Sequence, residues 1–263
     1  MNPPSVVFIH GVRASRAMWA KQLALLESRD IPARAIDLPG HGARRAEPFS
    51  IPGAMAAIDE AAAGMGGPVV VVGSSLGGYL ALHWTARTAR PVQAVLAAGA
   101  TTSTTGVLGR TYELASHAIA RLPGGGAWLS SAANRLTTPR HTPEVPPEEV
   151  PTIAEMAEVV RQMRHLDVEE DVAHIEVPIW FVNGRWDHFR WHERRWTAAA
   201  HRGRLTIVPK ANHLVSLTNP PAFNAALTEL LAHVSGAQPP GADAADDGDA
   251  VRDDDDVLTE PFS

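Results

Sequence analysis

The stretch Pro68-Val69-Val70-Val71-Val72-Gly73-Ser74-Ser75-Leu76-Gly77-Gly78-Tyr79-Leu80-Ala81-Leu82-His83-Trp84 narrows the possible folds more than any other part of this chain. An apolar run reads as a buried strand, and the residues after Ser75 follow a helical pattern. Between them lies Gly-x-Ser-x-Gly. In strand–turn–helix context that motif marks a tight turn that lifts a serine hydroxyl above the edge of a sheet. Glycines two before and two after the serine keep Cβ atoms from blocking the turn. Ser75 is therefore the candidate nucleophile of an acyl-transfer enzyme. An ordinary Gly/Ser turn would carry the same five residues, so the reading depends on what the rest of the chain brings beside it.

Around this unit, short strand patterns alternate with helix patterns, which predicts an α/β fold with a mostly parallel sheet covered on both faces. Strands are expected at Ser5–His10, Ala33–Asp37, Pro68–Val72, Val92–Ala98, Val177–Val182 and Arg204–Val208, about six in all. Helices are expected at Met18–Ser28, Ala54–Ala63, Leu76–Arg87, near His192–His201 and at Pro221–Val234, the last with Asn219 as N-cap and proline in its first turn. Residues 101–176 break the alternation with far more chain than a plain crossover needs. Helical patterns at Tyr112–Arg121, Trp128–Arg135 and Ile153–Leu166, with a proline-rich joint at Pro139–Pro151, read as a helical cap inserted after the strand at Val92. The core is then 1–100 and 177–236.

A serine hydroxyl is a weak nucleophile near neutral pH and needs a base, and the base needs an orienting group. Strand ends supply both. Asp187 follows the strand at 177–182 in Asn183-Gly184-Arg185-Trp186-Asp187, and His213 follows the strand at 204–208 in Pro209-Lys210-Ala211-Asn212-His213. In a parallel sheet these loops leave one edge, where the sites of open α/β folds form. The chain has twelve histidines, so competitors must be weighed. His83, His117, His165, His174, His201 and His233 lie in or beside helices and read as surface or packing residues. His188 and His192 have a spacing that could hold a metal, but no third ligand is evident. His41, in Asp37-Leu38-Pro39-Gly40-His41-Gly42, shapes its loop rather than acting as a base. An oxyanion also needs donors. The N–H of Leu76 is one. The second is expected from His10-Gly11-Val12-Arg13 after the first strand, at Val12, with Gly11 letting backbone approach the substrate.

Charge and composition exclude other classes. The net charge of −6 comes from the C-terminus: residues 241–263 carry nine acids and one arginine, leaving 22 basic and 20 acidic residues in the other 240. The body is near neutral, so no nucleic-acid surface is expected. The segment from residue 237 on is expected to be a disordered acidic tail. The chain has no cysteine, which removes disulfides, thiolate catalysis and cysteine-based zinc sites. With no basic-then-apolar leader and no run of membrane-spanning length, a cytoplasmic location is expected.

Phe8-Ile9-His10-Gly11, Trp19, Asp37-Leu38-Pro39-Gly40-His41-Gly42, Gly73-Ser74-Ser75-Leu76-Gly77-Gly78, Gly184-Arg185-Trp186-Asp187 and Asn212-His213 together resemble the α/β-hydrolase superfamily, in its branch with an HG motif and a helical cap. The resemblance spans residues 6 to about 235. It implies the chain order serine, acid, histidine, which favours Asp187 over Asp37, since Asp37 precedes the elbow. The chain starts at what resembles the family's third strand, and Asn212 stands where a glycine is common before the histidine. The implied activity is ester hydrolysis through Ser75, His213 and Asp187 without metal or organic cofactor, on a small to medium apolar ester. Gly11, Tyr79, Met156, Val160 and Trp186 are candidate pocket residues. An acyltransferase or a carbon–carbon bond hydrolase would use the same three side chains, and a non-catalytic ligand-binding protein could use the same scaffold.

Overall fold

The computed structural model describes residues 4–105, 114, 118–119, 121 and 151–236. The expected helices at Tyr112–Arg121 and Trp128–Arg135, the joint at Pro139–Pro151 and the acidic tail lie wholly or largely outside the described residues. Six strands form one sheet: β1 Ser5–Ile9, β2 Ala33–Ile36, β3 Val69–Ser74, β4 Val92–Ala98, β5 Ile179–Gly184 and β6 Gly203–Val208. Their order across the sheet is β2-β1-β3-β4-β5-β6, and every neighbouring pair is parallel.

Successive strand residues point to opposite faces, and the sheet divides its valines accordingly. Val7, Ile9, Val69, Val71, Val95, Ala97, Ile179 and Phe181 face one layer. Val6, Phe8, Val70, Val72, Ala94, Leu96, Trp180 and Val182 face the other. Where both faces are buried, as in β1 and β3, the strands read as near-continuous apolar runs, whereas the edge strands β2 and β6 are partly exposed. The first layer is covered by α2 Ile51–Ala63, α3 Leu76–Thr85, α4 Ile153–Met163, α5 Val168–His174 and α6 Glu193–Ala199. The second is covered by α1 Ala20–Glu27, a 3₁₀ turn at Arg16–Trp19 and α8 Pro220–Ser235; a short α7, Val215–Thr218, leads into α8. Trp19 and Phe223 anchor this layer, both fully buried with ring centroids 5.7 Å apart.

Helix starts follow local chemistry. Ser50 caps α2 by accepting from Gly53 N–H, Thr152 and Glu155 form a reciprocal capping box on α4, and Asn219 caps α8 before Pro220. The short α7 was not expected, and neither was α5. Its Asp167 N-cap accepts from Glu170 N–H, and its buried Asp171 meets His83 Nδ1 of α3 at 2.7 Å and the Arg87 guanidinium. No described helix is long and apolar enough to cross a membrane.

The topology fixes where chemistry can occur. β2 lies on one side of β1 and β3 on the other, so the connections diverge between β1 and β3, opening a crevice at the carboxyl edge. His10-Gly11 leaves β1 and Ser75 leaves β3 at that crevice, beside the residues leaving β4, β5 and β6.

Candidate active site

Ser75 stands between β3 and α3 with φ 52° and ψ −118°, a conformation costly for any residue with a Cβ. The turn holds it there: Ser75 N–H donates to Ala98 O at 2.7 Å, and Ser75 O accepts from Gly78 N–H at 2.8 Å. A Cβ on Gly77 would lie 2.2 Å from Ile9 O, so α3 can approach β1 this closely only with glycine there.

The strand-end candidates converge on this serine. His213 Nε2 lies 2.9 Å from Ser75 Oγ, and His213 Nδ1 lies 2.9 Å from Asp187 Oδ1. Asp187 Oδ1 also accepts from Phe189 N–H at 2.7 Å. Its Oδ2 is buried with no hydrogen-bond partner among the described residues. Burial pushes the Asp187 carboxyl up. The hydrogen bond and charge of His213, the Phe189 N–H and the charge of His188 outweigh burial, so Asp187 titrates below the usual carboxylate range. A carboxylate held ionised next to an imidazole that reaches a serine hydroxyl can drive proton transfer from that hydroxyl.

Leu76 is the first residue of α3, so its N–H lies at the positive end of the helix dipole. Gly11 lies across from it: a Cβ built on Gly11 would be 3.5 Å from Ser75 Cβ. Among the described residues, neither the Val12 nor the Leu76 N–H donates to another group. Of the expected pocket residues, Tyr79 is buried, its hydroxyl donating to Thr102 O at 2.8 Å and its ring edge-on to Trp196. Met156 and Val160 are half-buried on α4, whereas Val159 and Met163 of that helix are packed into the core. Trp186 is 72% exposed.

Some neighbours of the site carried no sequence signal of their role. Gly99, φ 61°, follows β4; a Cβ there would sit 2.9 Å from His213 Nδ1. Asn183, fully buried at the end of β5, accepts from Gly99 N–H at 3.1 Å and donates to Thr101 Oγ1 and Glu193 Oε2, each at 2.9 Å. Glu193 in turn pairs with Arg190, which donates to Arg185 O at 3.1 Å and so closes the loop that bears Asp187. The His188 and Phe189 rings pack against His213 at a tilt, with interplanar angles of 46° and 45° and centroids 5.3 and 4.9 Å away. His192, the other half of the spaced histidine pair, accepts from Ser103 N–H at 3.0 Å. A glycine ending a strand and an asparagine within an apolar one were the available hints.

Comparison with known proteins resolves the family. The sequence model of the alpha/beta hydrolase family matches residues 6–226. The chain belongs to that family. It is 30% identical over 239 residues to a pimeloyl-[acyl-carrier protein] methyl ester esterase of Neisseria meningitidis, covering 84% of this chain and 90% of that one. Over 94 residues, about a third of either chain, it is 41% identical to lipase LipV of Mycobacterium tuberculosis. Among solved structures it is similar in fold to NosK of Streptomyces actuosus, with TM-score 0.69 and 23% identity over 89% of this chain and 100% of that one. It is likewise similar to the enol-lactonase of Burkholderia xenovorans, with TM-score 0.69 and 19% identity over 88% and 92%. As a member of the family, this alpha/beta hydrolase is a carboxylesterase-like enzyme.

Proposed function

We propose that this alpha/beta hydrolase is a serine esterase in which Ser75 is the nucleophile, His213 the general base and acid, and Asp187 the orienting carboxylate. The single observation that carries the reading is the relay Asp187–His213–Ser75, two contacts of 2.9 Å each in the order the chemistry needs. Ser75 Oγ attacks the ester carbonyl as its proton passes to His213 Nε2. The carbonyl oxygen becomes an oxyanion received by the N–H groups of Val12 and Leu76. His213 returns the proton to the departing alcohol, leaving an acyl-Ser75. A water, deprotonated by His213, attacks that acyl group and releases the acid. Asp187 keeps the proton of the neutral ring on Nδ1 and stabilises the imidazolium. No metal or organic cofactor enters these steps.

The substrate in this reading is a small to medium apolar ester, entered between Ser75 and a cap formed from residues 101–176. Gly11 and the half-buried Met156 and Val160 are its proposed wall residues. A second, narrower reading has one supporting observation, the relatives named pimeloyl-[acyl-carrier protein] methyl ester esterases: a methyl ester at the end of a carrier-bound acyl chain. A panel of p-nitrophenyl esters of rising acyl length, run beside a methyl ester on free and carrier-bound acyl chains, tests both. Labelling of Ser75 by a fluorophosphonate, lost in Ser75→Ala together with turnover, is expected. A folded protein that neither labels nor turns over any ester defeats the proposal and leaves the ligand-binding alternative. Turnover that rises only with an added alcohol or amine acceptor favours acyl transfer, and cleavage of a diketone but not of esters favours carbon–carbon hydrolysis.

A further inference from the structure

Two buried imidazoles lie behind the loop that follows β1, and the mechanism above uses neither. His10 and His41 are fully buried with ring centroids 4.9 Å apart. His10 Nε2 accepts from Leu38 N–H at 3.0 Å. An N–H can only donate, so that nitrogen carries no proton. The single proton of neutral His10 is therefore on Nδ1, which donates to Gly11 O at 2.8 Å. His10 is neutral because burial, reinforced by His41, pushes it down to about 3. His41 reaches across 29 residues of sequence: its Nε2 lies 2.7 Å from Val12 O and its Nδ1 lies 2.9 Å from Pro39 O. Burial pushes His41 down, so the ring is neutral and has one proton for two carbonyls; the shorter contact, to Val12 O, assigns it to Nε2.

These contacts define two peptide planes. The peptide bonds of the described residues are all trans, so the Gly11 carbonyl and the Val12 N–H point in opposite directions. Holding Gly11 O back against His10, with a further bond from Ala14 N–H at 3.2 Å, turns the Val12 N–H outward. Holding Val12 O against His41 fixes the next plane and with it the tilt of the donor. A preorganised donor matters because an oxyanion hole stabilises charge without reorganising when the charge appears.

We propose that His41 is a positioning residue of the oxyanion hole: its Nε2–H grips the Val12 carbonyl and, with His10 on the Gly11 carbonyl, aims the Val12 N–H at the carbonyl oxygen of the ester. This rests on the reading of Val12 as the second donor and deepens it by naming what sets its direction. Among the described residues the His41 ring nitrogens meet Pro39 O and Val12 O, and no hydrogen bond joins them to Ser75. Removing the His41 donor should therefore act on the transition state, where the oxyanion forms, more than on the bound ester.

The test compares His41→Phe, which keeps a planar ring without a donor, with His41→Gln, which restores a side-chain N–H. Each is assayed with a short p-nitrophenyl ester, and each is titrated with a trifluoromethyl ketone, whose adduct with the serine places an oxyanion in the hole. The Phe variant should lose about 10- to 100-fold in kcat, a part of what removing a whole donor costs, with KM within about threefold. Ketone affinity should fall in parallel with kcat, and Gln should recover most of both. A folded Phe variant with unchanged kcat, a loss confined to KM, or a Gln variant as poor as Phe overturns the proposal. If Phe does not fold, His41→Met serves as the donor-free variant under the same criteria. An active wild type that fluorophosphonate labels, beside an unaffected donor-free variant, removes the clamp alone. A wild type with no Ser75-dependent turnover removes the clamp and the esterase reading together.

Discussion

Gly99→Ala isolates the geometry of the proposed base from its chemistry. The new Cβ would lie 2.9 Å from His213 Nδ1, 3.0 Å from its Cε1 and 3.0 Å from its carbonyl oxygen. A carbon needs about 3.5 Å from such neighbours, so the imidazole must retreat by about half an ångström. That retreat is shared between the bonds to Asp187 and Ser75. Misplacement by 1 Å can cost about 10²-fold in rate, so a loss of about 10- to 100-fold in kcat is expected, with KM little changed. Alanine at φ 61° adds a backbone cost. That cost is about 1–2 kcal/mol, or a fall in Tm of about 2–8 °C for a domain of this size. Gly66 provides the control. Its φ is 71°, and nothing lies within 4 Å of a Cβ built there. Gly66→Ala should therefore lose comparable stability and keep full turnover. The assays are steady-state hydrolysis of a p-nitrophenyl ester, the rate of fluorophosphonate labelling and thermal melting. A folded Gly99→Ala protein with kcat within twofold of wild type would refute the argument that this glycine sets the position of His213.

Asp187→Asn should lower kcat by about 10⁴-fold with little change in melting temperature, because the amide favours the wrong imidazole tautomer; single-turnover acylation of a p-nitrophenyl ester measures it. Ser75→Ala should abolish fluorophosphonate labelling outright, as read by intact mass. His10 makes the fold acid-sensitive: its folded pKa of about 3 lies below the ordinary 6.5, so on acidification the unfolded chain takes up its proton first. Its contribution is complete above about pH 6.5 and falls by up to about 1.4 kcal/mol per unit down to about pH 3. Urea denaturation of wild type and His10→Asn at several pH values should show a shallower slope for the variant. Asp171→Ala removes the buried partner of His83 and should cost about 1–3 kcal/mol in urea denaturation while leaving kcat for a short ester within about threefold.

The strands were legible because a sheet buried on both faces demands apolar runs, and Val69–Val72 and Ala94–Ala98 supply them without interruption. The convergence of residues 75, 187 and 213 was legible for a topological reason: parallel strands release their loops at one edge, so a strand-end position is already a spatial one. Helix faces were harder. On α4, Met156 and Val160 were candidate pocket residues and are half-buried, whereas their neighbours Ala157 and Val159, with Met163, are packed into the core. Neighbouring helical positions differ by about 100°, so a one-residue error of phase exchanges core for rim. α5 escaped because Val168–His174 is short and acidic, and it is held by Asp171 against His83 and Arg87, partners more than 80 residues away in sequence.

What the sequence could not convey is the support around the site, and the reason lies in the chemistry of each role. The proposed proton relay has few solutions, so serine, histidine and aspartate at strand ends are visible in the sequence. Aiming a peptide plane has many solutions, since any donor within reach of the Val12 carbonyl would serve. His41 does so from a different loop, through backbone atoms that leave no mark on the residues they belong to. Gly99 is the same case in negative: its function is the absence of a Cβ where His213 passes, and a glycine that ends a strand reads identically whether that space is needed or not. A side chain that reacts constrains its own identity, whereas one that positions constrains only a distance, and distances appear once the chain is folded.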